Sequence, residues 1–363
     1  MERQDFDQEL VVGGPDLVGK NIGDRYRLLS LIGKGSVSEV YKAMDLSSVQ
    51  TVALKIIKLG RQPDSDSVQL FEHNARLNVQ HPNLVTVHAC GLTEKGEPWL
   101  ALEYLQGQDL ARLLKEEGHL SVVTTLSLLE QICDAVGHIH NKGEVHMNLK
   151  PSSIILVDAP SGVPFIKLTD VGVSKLLLER ELEIIDEHEP AVGSTLYLSP
   201  EQFKGERIDA RSDIYSLGCI AYHCLTGRAP HEGTNLLETM DRHFKADIDF
   251  PSEPDVPIAV QNLVLNMLAK EPDARYRSLA EVRSDLALAA DGKNVERKVP
   301  FVQDTQQKAY SPPLTSRRPH KKGREPWMLL LTCLTILLLI AIVQQSIAIS
   351  VELHKHAAGR RHH

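Results

Sequence analysis

Apolar residues follow two kinds of pattern along the chain. Over the first hundred residues they form short runs typical of strands, at positions 26–33, 39–45, 51–59, 84–92 and 99–104. After position 109 they recur with helical spacing, as at 124–142 and 213–226. Strands followed by helices predict an α+β fold with two lobes, divided near residues 105–108.

Both ends of the chain lack this periodicity. Residues 1–23 are predicted to be a flexible leader before a folded domain at 24–290, with lobes at 24–105 and 106–290. Residues 291–326 are rich in Lys, Arg, Gln, Ser and Pro, which favours a flexible basic linker.

One apolar run near the C-terminus has no polar face. Residues 327–343 contain no charged side chain, and at about 1.5 Å per residue such a helix reaches about 26 Å, close to the thickness of a bilayer core. A single transmembrane helix at 327–349, followed by a tail at 350–363, is therefore favoured over a buried or amphipathic helix. Basic residues before the span place the folded domain in the cytosol.

The net charge of −8 is unevenly distributed. About −15 lies on residues 1–290, whereas residues 291–326 carry +5 and those after Val343 carry +2. An acidic folded body repels the nucleic-acid backbone, so no nucleic-acid partner is expected.

Residues 146–154 read HMNLKPSSI. This segment resembles the catalytic loop of Ser/Thr protein kinases, HRDLKPxN, in which Asp accepts the substrate hydroxyl proton and Asn helps to hold Mg²⁺. Here Asn148 stands at the base position and Ser153 at the metal position. A carboxamide does not act as a base near neutral pH, and a hydroxyl is a poorer Mg²⁺ ligand than an amide carbonyl.

Other segments resemble the motifs of the same family, in the same order. Residues 32–40 (IGKGSVSEV) are similar to its glycine-rich loop with Ser38 for the third glycine, and residues 52–55 (VALK) to its phosphate-binding strand. Residues 102–105 resemble the hinge and 170–172 (DVG) the metal-binding motif. Residues 199–201 (SPE) and 213–218 (DIYSLG) also match, and Arg275 stands where the family's arginine pairs with Glu201.

This resemblance, to bacterial eukaryotic-like Ser/Thr kinases in particular, implies a two-lobed protein kinase-like fold that binds ATP and Mg²⁺. The implied catalytic positions are Lys150 and the altered Asn148, and the implied metal positions are Asp170 and the altered Ser153. The implied ATP contacts are Ile32, Gly33, Gly35, Val40, Ala53, Lys55, Glu72, Glu103 and Leu105.

The departures from the family pattern occur together. Met147 replaces the arginine that would receive an activation-segment phosphate, and no Ser, Thr or Tyr lies between Ser174 and Ser194. We therefore expect a membrane-anchored pseudokinase that binds a protein partner; the alternative is a weakly active Ser/Thr kinase acting on protein hydroxyls. A solvated loop or exposed helix is favoured over a docking surface for the acidic residues Glu179, Glu181, Glu183, Asp186, Glu187 and Glu189.

Overall fold

The computed structural model describes residues 17–58, 71, 80–157, 164–184 and 193–298 of the 363-residue chain. All of them lie in the first of two compact units, Met1–Phe301. The second unit, Val302–His363, lies outside the described residues.

Six strands form the sheet of the N-terminal lobe: β1 (Asn21–Ile22), β2 (Tyr26–Lys34), β3 (Ser38–Asp45), β4 (Gln50–Ile57), β5 (Val87–Leu92) and β6 (Pro98–Glu103). Their order is β1-β2-β3-β4-β6-β5, and every neighbouring pair is antiparallel. Side chains alternate between core and solvent, so that Tyr26 and Leu28 are buried on β2 while Leu29 is exposed. Tyr26 packs edge-on against Trp99, with ring centroids 5.4 Å apart.

A second, smaller sheet supports the region of the catalytic motifs. Its strands are antiparallel and lie in chain order: β7 (Gly107–Asp109), β8 (Ile154–Val157) and β9 (Phe165–Leu168). The chain thus leaves the first sheet at Glu103 and enters the second at Gly107, within the predicted lobe boundary. Because β8 follows residues 146–153 and β9 precedes Asp170, this sheet brings the two motifs together.

The C-terminal lobe is helical, with a core built on two long helices. Fully buried residues such as Ile132 and Leu217 form this core. The helices are α1 (Leu110–Glu117), α2 (Val122–His140), α3 (Ser174–Ile184), α4 (Pro200–Lys204), α5 (Ala210–Thr226), α6 (Leu236–Lys245), α7 (Ile258–Met267) and α8 (Leu279–Ala290). Short 3₁₀ turns occur at Pro151–Ser153, Gly193–Tyr197 and Pro272–Ala274. The predicted two-lobed fold, with strands first and helices second, is confirmed.

Element ends differ from the predicted ones by a few residues, for local reasons. Helix α2 begins at Val122 rather than 124, because the Ser121 hydroxyl accepts a hydrogen bond from Thr124 N at 3.1 Å and caps the helix. Strand β5 begins at Val87 rather than 84, because Val85 N instead donates to Leu168 O at 2.9 Å in the second lobe.

Two segments predicted to be flexible are in part ordered. Within the leader at 1–23, strand β1 pairs with β2, so the prediction is wrong for its last residues. Within the linker at 291–326, Val295 is buried, and Asn262 and Asn266 of α7 donate to the carbonyls of Val295 and Glu296, each at 2.9 Å. These part-buried hydrogen bonds between side chains and backbone, together with one from Lys298 N to Asn266 Oδ1 at 2.8 Å, hold the segment up to Lys298 on the lobe.

Among the described residues, no helix combines the length and apolar character needed to cross a bilayer. The predicted span at 327–349 and the tail at 350–363 lie outside those residues.

Candidate active site

The backbone of the predicted catalytic loop is held by one buried carboxylate. Asp213 on α5 accepts hydrogen bonds from the backbone N–H groups of His146 and Met147, each at 2.8 Å. Met147 has a φ of 67°, a left-handed conformation that is costly for a long side chain. Gln202 Nε2 also donates to Met147 O at 2.6 Å, so contacts on both sides of the residue maintain this strained turn.

Asn148, at the base position, is the least satisfied group of the site. It is 2% exposed, and neither its amide nitrogen nor its amide oxygen has a hydrogen-bond partner among the described residues. A buried polar atom left without a partner costs about 1–3 kcal/mol. The side chain therefore offers a donor and an acceptor, but no ionisable group, at the position from which the family's base works.

Ser153, at the metal position, uses its hydroxyl for the fold of the loop. The side chain is fully buried, donates to Lys150 O at 2.7 Å and accepts from Lys150 N at 3.2 Å. This pair of hydrogen bonds closes the turn at Pro151–Ser153. A hydroxyl occupied in this way is a poor candidate for holding a metal ion.

Lys55 and Asp170 meet across the site. Lys55 lies in the middle of β4, opposite Val40 and Leu100 in the sheet register, and its Nζ is 2.5 Å from Asp170 Oδ1. Burial raises the pKa of the Asp170 carboxyl, but the nearby charges of Lys55 and Lys150 outweigh burial and hold that pKa below its ordinary value. Asp170 is therefore an ionised carboxylate, the form that binds Mg²⁺.

Several of the predicted nucleotide contacts lie on β2, β3 and β4 of the N-terminal lobe, and Val40 is the partner of Lys55 in the sheet register. Ile32 and Gly33 lie on β2, Val40 on β3 and Ala53 on β4, with Gly33 paired to Val40. Gly35 N donates to Ser38 O at 2.8 Å and closes the hairpin between β2 and β3. Glu72 lies outside the described residues.

The predicted hinge residues have protein partners of their own. The Glu103 carboxylate accepts from Lys167 Nζ at 2.7 Å and from Thr86 N at 2.9 Å, so the side chain joins the two sheets. Leu105 is partly buried in the segment between β6 and β7. A ligand at the hinge is therefore expected to use backbone groups rather than the Glu103 carboxylate.

Glu181 on α3 is a site residue that the sequence pattern did not predict. It is 7% exposed, and its Oε1 lies 2.6 Å from Lys150 Nζ, while the Ser194 hydroxyl donates to Oε2. The interpretation of the acidic segment as a solvated face is therefore wrong for Glu181, although Glu179 on the same helix is exposed. Helical spacing could have indicated the burial of Glu181, since residues three and four apart share a helix face and Glu181 follows the buried Leu177 and Leu178 by four and three residues.

A second carboxylate network lies beneath the site. Both terminal guanidinium nitrogens of Arg275 donate to Glu201, at 2.7 and 2.8 Å, and Ser212 Oγ donates to Glu201 Oε1 at 2.6 Å. The predicted pairing of Arg275 with Glu201 is confirmed. This bidentate pair fixes the segment after α3 to the helical core.

The sequence profile described as the protein kinase domain matches residues 26–285, most of the chain. The chain belongs to the protein kinase family. The chain is 29% identical over 348 residues to serine/threonine-protein kinase PrkC of Bacillus subtilis, in a match that covers 88% of this chain and 52% of that protein. The chain is also 32% identical over 281 residues to serine/threonine-protein kinase PknB of Mycolicibacterium smegmatis, in a match that covers 76% of this chain and 44% of that protein.

The chain thus spans about half the length of these relatives. Among solved structures, its fold is similar to that of the Mycobacterium tuberculosis PknI kinase domain, with a TM-score of 0.55 and 22% identity over 74% of this chain and 97% of that one. At this identity the likeness shows the fold. The placement of Lys55, Asn148 and Asp170 in that fold rests on the contacts described above.

Proposed function

We propose that the chain is a membrane-anchored protein kinase-like regulator, a Ser/Thr pseudokinase that binds ATP and holds a protein partner in a signalling complex. The observation that carries this proposal is Asn148, a buried amide with no hydrogen-bond partner among the described residues, at the position of the catalytic base. Without a base and with the Ser153 hydroxyl occupied, efficient phosphoryl transfer is not expected.

The residues of the site are better suited to binding a nucleotide than to catalysing phosphoryl transfer. Lys55 and Lys150 are two largely buried ammonium groups, each 11% exposed, and buried cations favour phosphate oxygens as partners. Asp170 is an ionised carboxylate for one Mg²⁺ ion. When bound, the metal would neutralise phosphate charge; the protein groups would orient the triphosphate between the lobes.

The second candidate function is that of a weakly active Ser/Thr protein kinase. The relatives are named serine/threonine-protein kinases, and the Lys55–Asp170 pair is retained. A loss of general-base help costs about 10²–10⁴ in rate, which slows transfer without abolishing it. Protein hydroxyls would then be the acceptors.

One experiment on the full chain in detergent separates these functions. ATP with Mg²⁺ is expected to raise the melting temperature, because a ligand at a hundred times its Kd stabilises the folded state by about 2.7 kcal/mol. Radiolabel from the γ-phosphate is expected to stay off an added protein acceptor under the same conditions. The variant Lys55→Ala should lose the thermal shift. Label transfer at ordinary kinase rates that depends on Lys55 would support the second function instead.

Membrane anchoring is tested by truncation. Removing residues 327–363 deletes the uncharged run at 327–343, so the shortened protein is expected in the soluble fraction after cell lysis, whereas the full chain should sediment with membranes. A matched control deletes only the tail at 350–363 and should remain with the membranes. Sedimentation of the shorter protein with membranes would contradict the anchor.

A further inference from the structure

Four charged side chains of alternating sign lie next to one another in the cleft between the two lobes, where the catalytic and nucleotide-binding residues were predicted. Lys55 pairs with Asp170 at 2.5 Å, and Lys150 pairs with Glu181 at 2.6 Å. Thr169 N, next to Asp170, donates to Ser153 O at 2.9 Å, and Ser153 Oγ donates to Lys150 O at 2.7 Å, so the segments that carry the two pairs are neighbours. Among the described residues, the charges of these two cations and two carboxylates therefore balance each other.

Glu181 is the member of this set that comes from outside the nucleotide-binding motifs. Its side chain is 10% exposed, and a carboxylate so far from water needs partners for its charge. Lys150 supplies an ammonium group and Ser194 supplies a hydroxyl donor. These hydrogen bonds to a charged group are of the stronger kind.

Helix α3 is placed by contacts with both lobes. Val173, just before the helix, and Leu177 within it belong to a buried cluster with Val37 of the glycine-rich loop and Ala53 of β4. Arg180 Nε donates to Lys58 O at 3.3 Å, just beyond β4. The helix therefore lies against the predicted ATP-binding residues, with Glu181 directed at Lys150.

The Lys150 ammonium group cannot bind the Glu181 carboxylate and a phosphate group equally strongly at the same time. A triphosphate entering between Lys55 and Lys150 would bring several negative charges close to Glu181, and like charges in a poorly solvated site repel strongly. If the nucleotide takes Lys150, Glu181 loses its ammonium partner and its burial becomes unfavourable. Relief then requires that the last turns of α3 move away.

We propose that Glu181 is an internal anion that competes with the phosphates of ATP for Lys150, so that nucleotide binding and release of helix α3 are coupled. The inference rests on the proposed ability to bind ATP and adds to it a means of regulation. Release of the last turns of α3 on ATP binding would expose apolar surface such as that of the buried Leu178, and a partner that contacts α3 can tune nucleotide affinity in return.

The test measures ligand affinity of the full chain in detergent by calorimetry, with Glu181→Gln beside the wild type. The substitution keeps the size of the side chain and removes its charge. We expect the Kd for ATP with Mg²⁺ to fall about tenfold or more, since a hydrogen bond to a charged group corresponds to about one or two factors of ten in affinity. Affinity for adenosine, which carries no phosphate, should change by less than about twofold.

The matched control is Glu179→Gln, which makes the same change on the same helix at a side chain that is 61% exposed and 3.9 Å from its partner Lys175. Its ATP affinity should equal that of the wild type, because an exposed pair of this kind contributes little. Hydrogen exchange of the amides of Ser174–Ile184 reports the helix directly. ATP should speed this exchange in the wild type.

Each outcome has a defined meaning. Equal ATP affinity of Glu181→Gln and wild type would overturn the competition but leave nucleotide binding intact. An equal gain for adenosine would also overturn it, because Glu181 would then obstruct the cleft as a whole. Slower hydrogen exchange of the α3 amides in the presence of ATP would also overturn the proposed competition. Absence of ATP binding by both proteins would contradict the proposed function as well as this inference.

Discussion

Replacing Arg275 with methionine is expected to destabilise the chain by about 3–5 kcal/mol, one of the largest effects available outside the cleft. The Arg275 side chain is fully buried and that of Glu201 is 5% exposed. Methionine fills most of the volume but leaves the Glu201 carboxylate buried with only Ser212 as a side-chain donor among the described residues. Urea unfolding followed by circular dichroism in the far ultraviolet measures the change in the free energy of unfolding.

The control for this effect is Arg283→Met, at an arginine that donates to two carboxylates on the surface. Arg283 contacts Glu130 and Asp134, but its side chain is 44% exposed, so we expect a loss below about 1 kcal/mol. Equal losses at Arg275 and Arg283 would contradict the role of burial.

The pH dependence of the Arg275→Met effect follows from the pKa of Glu201. Burial raises that pKa, but Arg275 outweighs burial in the wild type, so the pKa lies below its ordinary value of 4.5. The ionised pair therefore stabilises the fold above the unfolded pKa, and this contribution is lost as pH falls through the folded pKa. Without Arg275, burial dominates and the carboxyl takes up a proton more readily. The difference between variant and wild type should consequently shrink between about pH 7 and pH 4.

Much of the site was predictable because kinase motifs are local in sequence. Lys55 and Asp170 are each defined by their immediate neighbours, and the fold that brings them together follows from the order of strands and helices. The predicted start of helix α2, at residue 124, was two residues late, although Ser121 is a favoured N-cap residue that directly precedes the helix.

The parts that were missed depend on contacts between distant residues. Glu181 and Lys150 are 31 positions apart, and no local pattern states that an acidic residue of one helix will lie on that lysine. The segment 291–298 has the composition of a linker, yet Asn262 and Asn266 hold its backbone from 33 and 30 positions away. Polar composition predicts exposure on average, whereas satisfied hydrogen bonds decide it at each residue.

Restoring the two altered groups with Asn148→Asp and Ser153→Asn is expected to raise phosphoryl transfer from background by about 10²–10⁴, the usual worth of a general base. The first substitution places an ionisable oxygen two residues before Lys150, where the amide now has no partner among the described residues. The second returns an amide carbonyl for Mg²⁺. Transfer of radiolabel from ATP to a protein acceptor measures the gain, and adding Lys55→Ala should abolish it.

The Ser153 hydroxyl complicates this double variant, because it also closes the turn at Lys150. Asn148→Asp alone leaves that turn intact and should therefore recover part of the rate even if the double variant misfolds. Since the Glu181 carboxylate is paired with Lys150, adding Glu181→Gln to Asn148→Asp should increase the rate of phosphoryl transfer further. If all of these variants bind ATP but transfer phosphate only at the background rate, the cleft has lost the positioning of the substrate as well as the catalytic groups. Phosphoryl transfer depends on in-line alignment of the reacting groups more than on the base.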